Sequence, residues 1–104
     1  YRYTVERICF CTPDYRGPVT VTVRGGVPVS VTGEGGGAAE QFGTMATIPL
    51  LFDAIGRELA GTPAELHAEY DPQRGYPTSF SVDPSRQIAD DERGFRVTGF
   101  QLLP

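Results

Sequence analysis

Between residues 19 and 32 the chain alternates with a strict period of two. Val19, Val21 and Val23 are separated by Thr20 and Thr22 and followed by Arg24. After Gly25 and Gly26, Val27, Val29 and Val31 alternate with Pro28, Ser30 and Thr32. Successive side chains on a strand point to opposite faces, so each run presents its valines on one face and mostly hydroxyls on the other. A two-residue Gly-Gly connection between two such runs predicts a tight hairpin. Pro28 brings no N–H to a ladder, which places the second strand at an edge or leaves one position unpaired. The fold must therefore contain an antiparallel sheet, and its apolar face needs a cover.

The cover is legible between residues 47 and 61. Ile48, Leu51, Phe52, Ile55 and Leu59 fall on one face of a helix. Thr47 is placed to cap its start, Pro49 is tolerated in a first turn, and Gly61 is placed to end it. Asp53 and Arg57 stand four apart on the other face, where a pair adds about 0.3 kcal/mol.

Further strands flank these elements. Residues 2–10 are β-favouring, with Tyr3, Val5, Ile8 and Phe10, but the alternation slips between Val5 and Ile8. A bulge there, or burial on both faces, accounts for it. Leu66, Ala68 and Tyr70 alternate with Glu65, His67, Glu69 and Asp71, and Thr78, Phe80 and Val82 alternate with Ser79, Ser81 and Asp83. Between these runs, Asp71 and Pro72 set a turn and Gly75 can close it. A last strand spans residues 94–102. Phe95 and Val97 share one face there, Phe100 and Leu102 the other, and the phase changes at Gly99, the position of an expected bulge. The expected fold is α+β: an antiparallel sheet of five to six strands with one helix on one face, in the order βββ-α-βββ.

The chain has 104 residues, which fits a single domain spanning residues 1–104. Its nine basic residues are all arginine and are scattered, and the net charge is −4. No basic block tracks a phosphate backbone, so nucleic acid is not an expected partner. No apolar run approaches the roughly 18 residues of a membrane span. The glycine-rich stretch over residues 33–46 has no lysine and stands well before the helix, unlike a phosphate-binding loop. It is expected to be a flexible connector. The chain begins at Tyr1 rather than at methionine, which reads as a processed or trimmed form; a lipid anchor on a preceding segment is compatible with that.

Chemistry-bearing residues are few. Cys9 and Cys11 form a Cys-x-Cys pair on a predicted strand, with both side chains on one face. A local disulfide, two buried thiols, and a metal or redox pair are all compatible with that spacing. His67, the one histidine, lies on the polar side of its strand without a visible nucleophile. Asp90, Asp91 and Glu92 form an acidic corner, but the acids of the second half lack the spacing of a calcium loop. Neither a metal nor a cofactor is expected, and no catalytic set assembles. Exposed tyrosines commonly make partner contacts. Tyr70, Asp71, Arg74 and Tyr76 around the turn, with Asp90, Asp91 and Glu92, are the expected interaction surface.

Taken whole, the chain resembles a bacterial domain-of-unknown-function family found in small secreted or lipid-anchored proteins. The resemblance is carried by Cys9, Phe10 and Cys11, by the valine hairpin, and by the helix opening Thr47, Ile48 and Pro49. To these it adds the turn from Tyr70, Asp71 and Pro72 to Gly75, Tyr76 and Pro77, and the corner at Asp90, Asp91 and Glu92. It implies an extracytoplasmic setting and a mixed helix–sheet domain, and it supplies no activity. The favoured expectation is a non-catalytic binding module whose partner is a protein or a cell-envelope component. The alternative is a redox or metal-responsive role for Cys9 and Cys11.

Overall fold

The computed structural model describes residues 1–9, 16–33, 42–84 and 92–104. Strands β1 (Arg2–Ile8), β2 (Val19–Arg24) and β3 (Val27–Gly33) precede a short 3-10 turn (Gly43–Met45) and helix α1 (Ile48–Ala60). Strands β4 (Glu65–Tyr70), β5 (Pro77–Asp83) and β6 (Arg93–Gln101) follow. All six strands join one antiparallel sheet in the order β3-β2-β1-β6-β5-β4. The first and last strands thus meet in the middle, and the valine hairpin and the β4–β5 hairpin form the two flanks.

Register builds the core. Val5 lies opposite Val19 on one side and Val97 on the other, Tyr3 opposite Val21, and Phe80 opposite Phe95. All are buried in one cluster together with Leu51 and Ile55 of α1. Each fully buried aliphatic or aromatic side chain of this kind contributes about 1.5–3 kcal/mol.

Helix α1 starts and stops at the residues its sequence marks. Thr47 is extended, and its Oγ1 accepts the Leu50 N–H at 3.2 Å. Gly61 follows the last turn and donates its N–H to the Glu58 carbonyl at 3.1 Å. The buried stripe is narrower than the sequence pattern: Leu51 and Ile55 are buried, whereas Phe52 and Leu59 are 43% and 55% exposed. Sheet width explains this. Six strands spaced about 4.8 Å apart span about 24 Å, while a helix with its side chains is about 10 Å across. One helix covers about half of such a face. On β3 the valines do not all share that face: the register shifts between Thr22 and Val23, so Val31 pairs with Val21 on the core side while Val27 pairs with Arg24 on the other, and Val27 and Val29 stay largely exposed. Glu58 reaches β6 instead of completing a pair along the helix, accepting from Arg93 Nε at 2.7 Å and Nη2 at 2.8 Å. At this exposure the pair is worth less than about 1 kcal/mol.

The irregularity lies elsewhere than the β1 alternation indicates. Pairing between β1 and β6 runs unbroken from Thr4 to Ile8, so Ile8 simply faces the side opposite Val5. The register shifts between Arg2 and Thr4, across from Gly99, whose φ is +63°. This is the bulge expected at Gly99. Its extra residue returns Phe100 to the core side, so Phe100 packs against the cluster that holds Phe95 and Val97 rather than facing away from them as its spacing implied. Of the glycine-rich stretch, Gly33 closes β3 and Phe42 is fully buried; residues 34–41 lie outside the described residues.

Tyr3 is fully buried on β1, and its hydroxyl donates to the Met45 carbonyl at 2.5 Å. Burial, with the Tyr1 phenol as a lesser cause, raises its pKa far above the ordinary 10.0. An unfolded Tyr3 loses its proton near pH 10 while the folded one keeps it. The folded state then binds more protons, so stability falls as pH rises beyond that value. Urea midpoints are expected to drop between about pH 10 and pH 12. Tyr3→Phe should flatten that slope, and an unchanged slope in the variant would exclude Tyr3 as its source.

Candidate functional site on the open face of the sheet

The turn between β4 and β5 is built by Asp71. Its Oδ2 accepts the backbone N–H groups of Gln73 at 3.1 Å and Arg74 at 2.8 Å. Its own N–H donates to the Tyr76 carbonyl at 2.9 Å, and the Gly75 N–H donates to the Asp71 carbonyl at 2.9 Å. Asp71→Ala removes both side-chain bonds and is expected to cost about 1–2 kcal/mol, in line with the net contribution of two ordinary hydrogen bonds. Asp71→Asn keeps an acceptor and should cost less than half as much in chemical denaturation. Equal losses would refute the hydrogen-bond account.

The aromatic side chains around this turn mostly engage one another. Tyr76 stacks on Phe100 at 4.4 Å, Phe100 on Tyr1 at 5.6 Å, and Tyr1 on Tyr3 at 6.0 Å, a ladder running into the core. The Arg74 guanidinium sits 5.7 Å from the centre of the Phe100 ring, and Tyr70 stacks on exposed Phe52 at 6.1 Å. The Tyr76 hydroxyl has its pKa raised by partial burial and by the Asp71 carboxylate, with Arg74 opposing.

The expected interaction surface therefore divides. Tyr70, Asp71, Arg74 and Tyr76 gather at the turn, beside the end of β6. Glu92 precedes the start of β6, and the intervening strand puts it about 26 Å from Phe100 at about 3.3 Å per residue. Asp90 and Asp91 lie outside the described residues. Glu92 instead shares a concavity with Cys9, on the face of the sheet turned away from α1.

That concavity measures about 600 Å³ and is lined by side chains of β1, β4, β5 and β6 together with Arg16 and Glu92. The volume lies inside the range of about 300–1,000 Å³ common for ligand sites. The register gives its floor as two rows. One row runs Glu6, Arg96, Ser79, Glu69 across β1, β6, β5 and β4. The next runs Ile8, Gly94, Ser81, His67. Gly94 contributes no side chain, so the second row is low at its centre.

The two halves of the open face differ in how their polar groups are satisfied. Over β1 and β2 they satisfy each other: Thr4 and Thr20 hydroxyls are 3.2 Å apart, and Arg2 Nε donates to Thr22 Oγ1 at 3.2 Å. Over β6, β5 and β4, the Arg96, Ser79 and Glu69 side chains make no hydrogen bond or ion pair among the described residues. The same holds for His67 and Glu6, although Glu6 stands directly opposite Arg96.

The sequence singled out Cys9, Glu92 and, as a surface residue, His67 from this site. It missed Arg96, Ser79, Glu69 and Glu6 as a group. The outward alternation of β5 and β6 marks their face, but only the β1–β6 and β5–β6 pairings put them in one row. Cys9 is not a free cysteine, and Cys11 lies outside the described residues. Among the described residues no group of three or more His, Cys, Asp and Glu could hold a metal. No helix among them is long and apolar enough to cross a membrane.

No curated protein and no solved structure matches this chain. A family model does: that of DUF6174, a family of unknown function, covers residues 1–102, and the chain belongs to that family.

Proposed function

We propose that this chain is a non-catalytic extracytoplasmic binding module whose working surface is the open face of its sheet. The observation that supports the reading is the concavity of about 600 Å³ lined by Arg96, Ser79, Glu69 and His67, whose side chains have no partner among the described residues. Polar side chains held on rigid strands and left unsatisfied by one another are available to a ligand, and their fixed spacing supplies selectivity. The partner is a protein or a cell-envelope component. A bridge between Cys9 and Cys11 belongs to the same reading, because disulfides persist in oxidising compartments. The aromatic turn at residues 70–76 is the second candidate surface.

The test is crosslinking capture from an envelope fraction with three proteins: the native sequence, the charge-reversed Glu69→Arg/Arg96→Glu, and Tyr76→Ala at the turn. Loss of capture by the first variant and retention by the second supports the open face. Retention by the charge-reversed protein, with loss by Tyr76→Ala, moves the binding surface to the turn.

The position of Cys9, half-buried at the rim of the same concavity, also favours a redox-responsive reading. A reduction potential well below about −300 mV would identify a structural bridge and remove that alternative.

A further inference from the structure

We infer that the open face selects a short zwitterionic peptide, with the carboxylate of the peptide on Arg96 and its terminal ammonium on Glu69. The inference rests on the open face being the binding surface. Arg96, Ser79 and Glu69 occupy directly paired positions on three adjacent strands, so they lie in one line across the sheet. The order is cation, hydroxyl, anion. None of the three has a side-chain partner among the described residues, in contrast to the satisfied Thr4–Thr20 and Arg2–Thr22 pairs on the other half of the same face.

Spacing sets the ligand length. Two strand intervals of about 4.8 Å separate Arg96 from Glu69 by about 10 Å. An extended peptide advances about 3.4 Å per residue, so a tripeptide matches the span. Its terminal carboxylate meets a guanidinium able to take both oxygens at once. Its ammonium meets a carboxylate, and Ser79 lies at the height of the central peptide group, where a hydroxyl can both donate and accept.

The rest of the concavity refines the choice. Glu6 flanks Arg96 on the side away from Ser79 and carries no ion pair to it. Its charge weakens the hold of Arg96 on any carboxylate and disfavours acidic side chains near the C-terminus of the ligand. His67 lies one row along β4 from Glu69, on the same face. Glu6, Glu69 and Glu92 stand against Arg7, Arg16 and Arg96 in the lining, so its formal charges balance, which suits a ligand carrying both signs better than a simple anion or cation.

The test uses trialanine with free termini, its N-acetylated form and its C-amidated form, titrated into the whole chain and followed by backbone amide shifts. Free trialanine is expected to move resonances on β4, β5 and β6, and each cap should weaken binding at least about tenfold. Arg96→Gln should bind trialanine and its amide equally, and Glu69→Gln should bind trialanine and its acetylated form equally. Glu6→Gln should tighten the free peptide, a gain that a merely structural role would not produce. All three substitutions are at solvent-facing positions, and unchanged amide dispersion checks their fold. Equal affinity for all three peptides, or no shift at about 10 mM trialanine, overturns the ligand assignment. If envelope capture is still lost on charge reversal in that case, the face stands and the peptide does not. If capture survives charge reversal as well, both fall.

Discussion

Gly94→Ala is expected to cost at least about 3 kcal/mol, the upper end of what overpacking a core does. Gly94 is buried on β6, the strand that pairs with both β1 and β5 in the middle of the sheet. It stands opposite Ile8 and Ser81. A Cβ at this position would run into the Phe80 carbonyl and the Ser81 Cα. Those are backbone atoms of the neighbouring strand, not the ends of flexible side chains, so relief demands that β5 and β6 separate. Separation would break the ladder that holds the β4–β5 hairpin to the rest of the molecule. Chemical denaturation of Gly94→Ala should therefore show either a greatly lowered midpoint or loss of the folded baseline. Gly43→Ala is the control, because nothing lies within 4 Å of a Cβ built there. A Gly94→Ala midpoint within experimental error of native would mean the strands accommodate the methyl, and the close approach is not structural.

The contrast between those glycines is one that sequence cannot make. Gly94 opens the last strand and looks like a turn residue carried over from the acidic corner. Its importance comes from the neighbour it touches, and that neighbour follows from strand order. The same limit separated the site residues. Glu69, Ser79, Arg96 and Glu6 each read as an ordinary outward position on its own strand. They become a row only when β1 and β6 pair in the centre, a contact between the two ends of the chain. Local features were legible because local chemistry fixes them. The valine hairpin over Gly25 and Gly26, the Thr47 cap, the Asp71 turn and the bulge at Gly99 all depend on residues within a few positions of each other. Glu92 stands apart from the turn for the opposite reason: the full length of β6 separates the two.

Phe42 and Phe52 carry the second expected result, with opposite signs from those the sequence pattern implies. Phe52 sits on the apolar stripe of α1 and reads as core, while Phe42 falls in a glycine-rich connector and reads as incidental. The structure reverses them. Phe42 is fully buried, whereas Phe52 is 43% exposed and its ring touches Tyr70. The Phe42 ring fills the space left by the missing side chain of Gly17, where a Cβ would come within 3.2 Å of it. The Arg7 guanidinium covers the ring at 4.7 Å from its centre. Phe42 thus plugs the part of the core face next to β1 that the narrow helix leaves uncovered. Truncation there removes a fully buried ring and leaves a void beside Gly17, which has no side chain to fill it. Phe42→Ala is expected to lose about 3–5 kcal/mol, the range for a fully buried Phe. Phe52→Ala should lose less than about 1.5 kcal/mol, since its area is only partly removed from water and its stacking on Tyr70 adds at most about that much. Parallel urea unfolding of the two variants compares them directly. Equal losses, or a larger loss at Phe52, would mean that α1 rather than the Phe42 plug closes the core, and the account of how one helix covers half of a six-stranded sheet would fail with it.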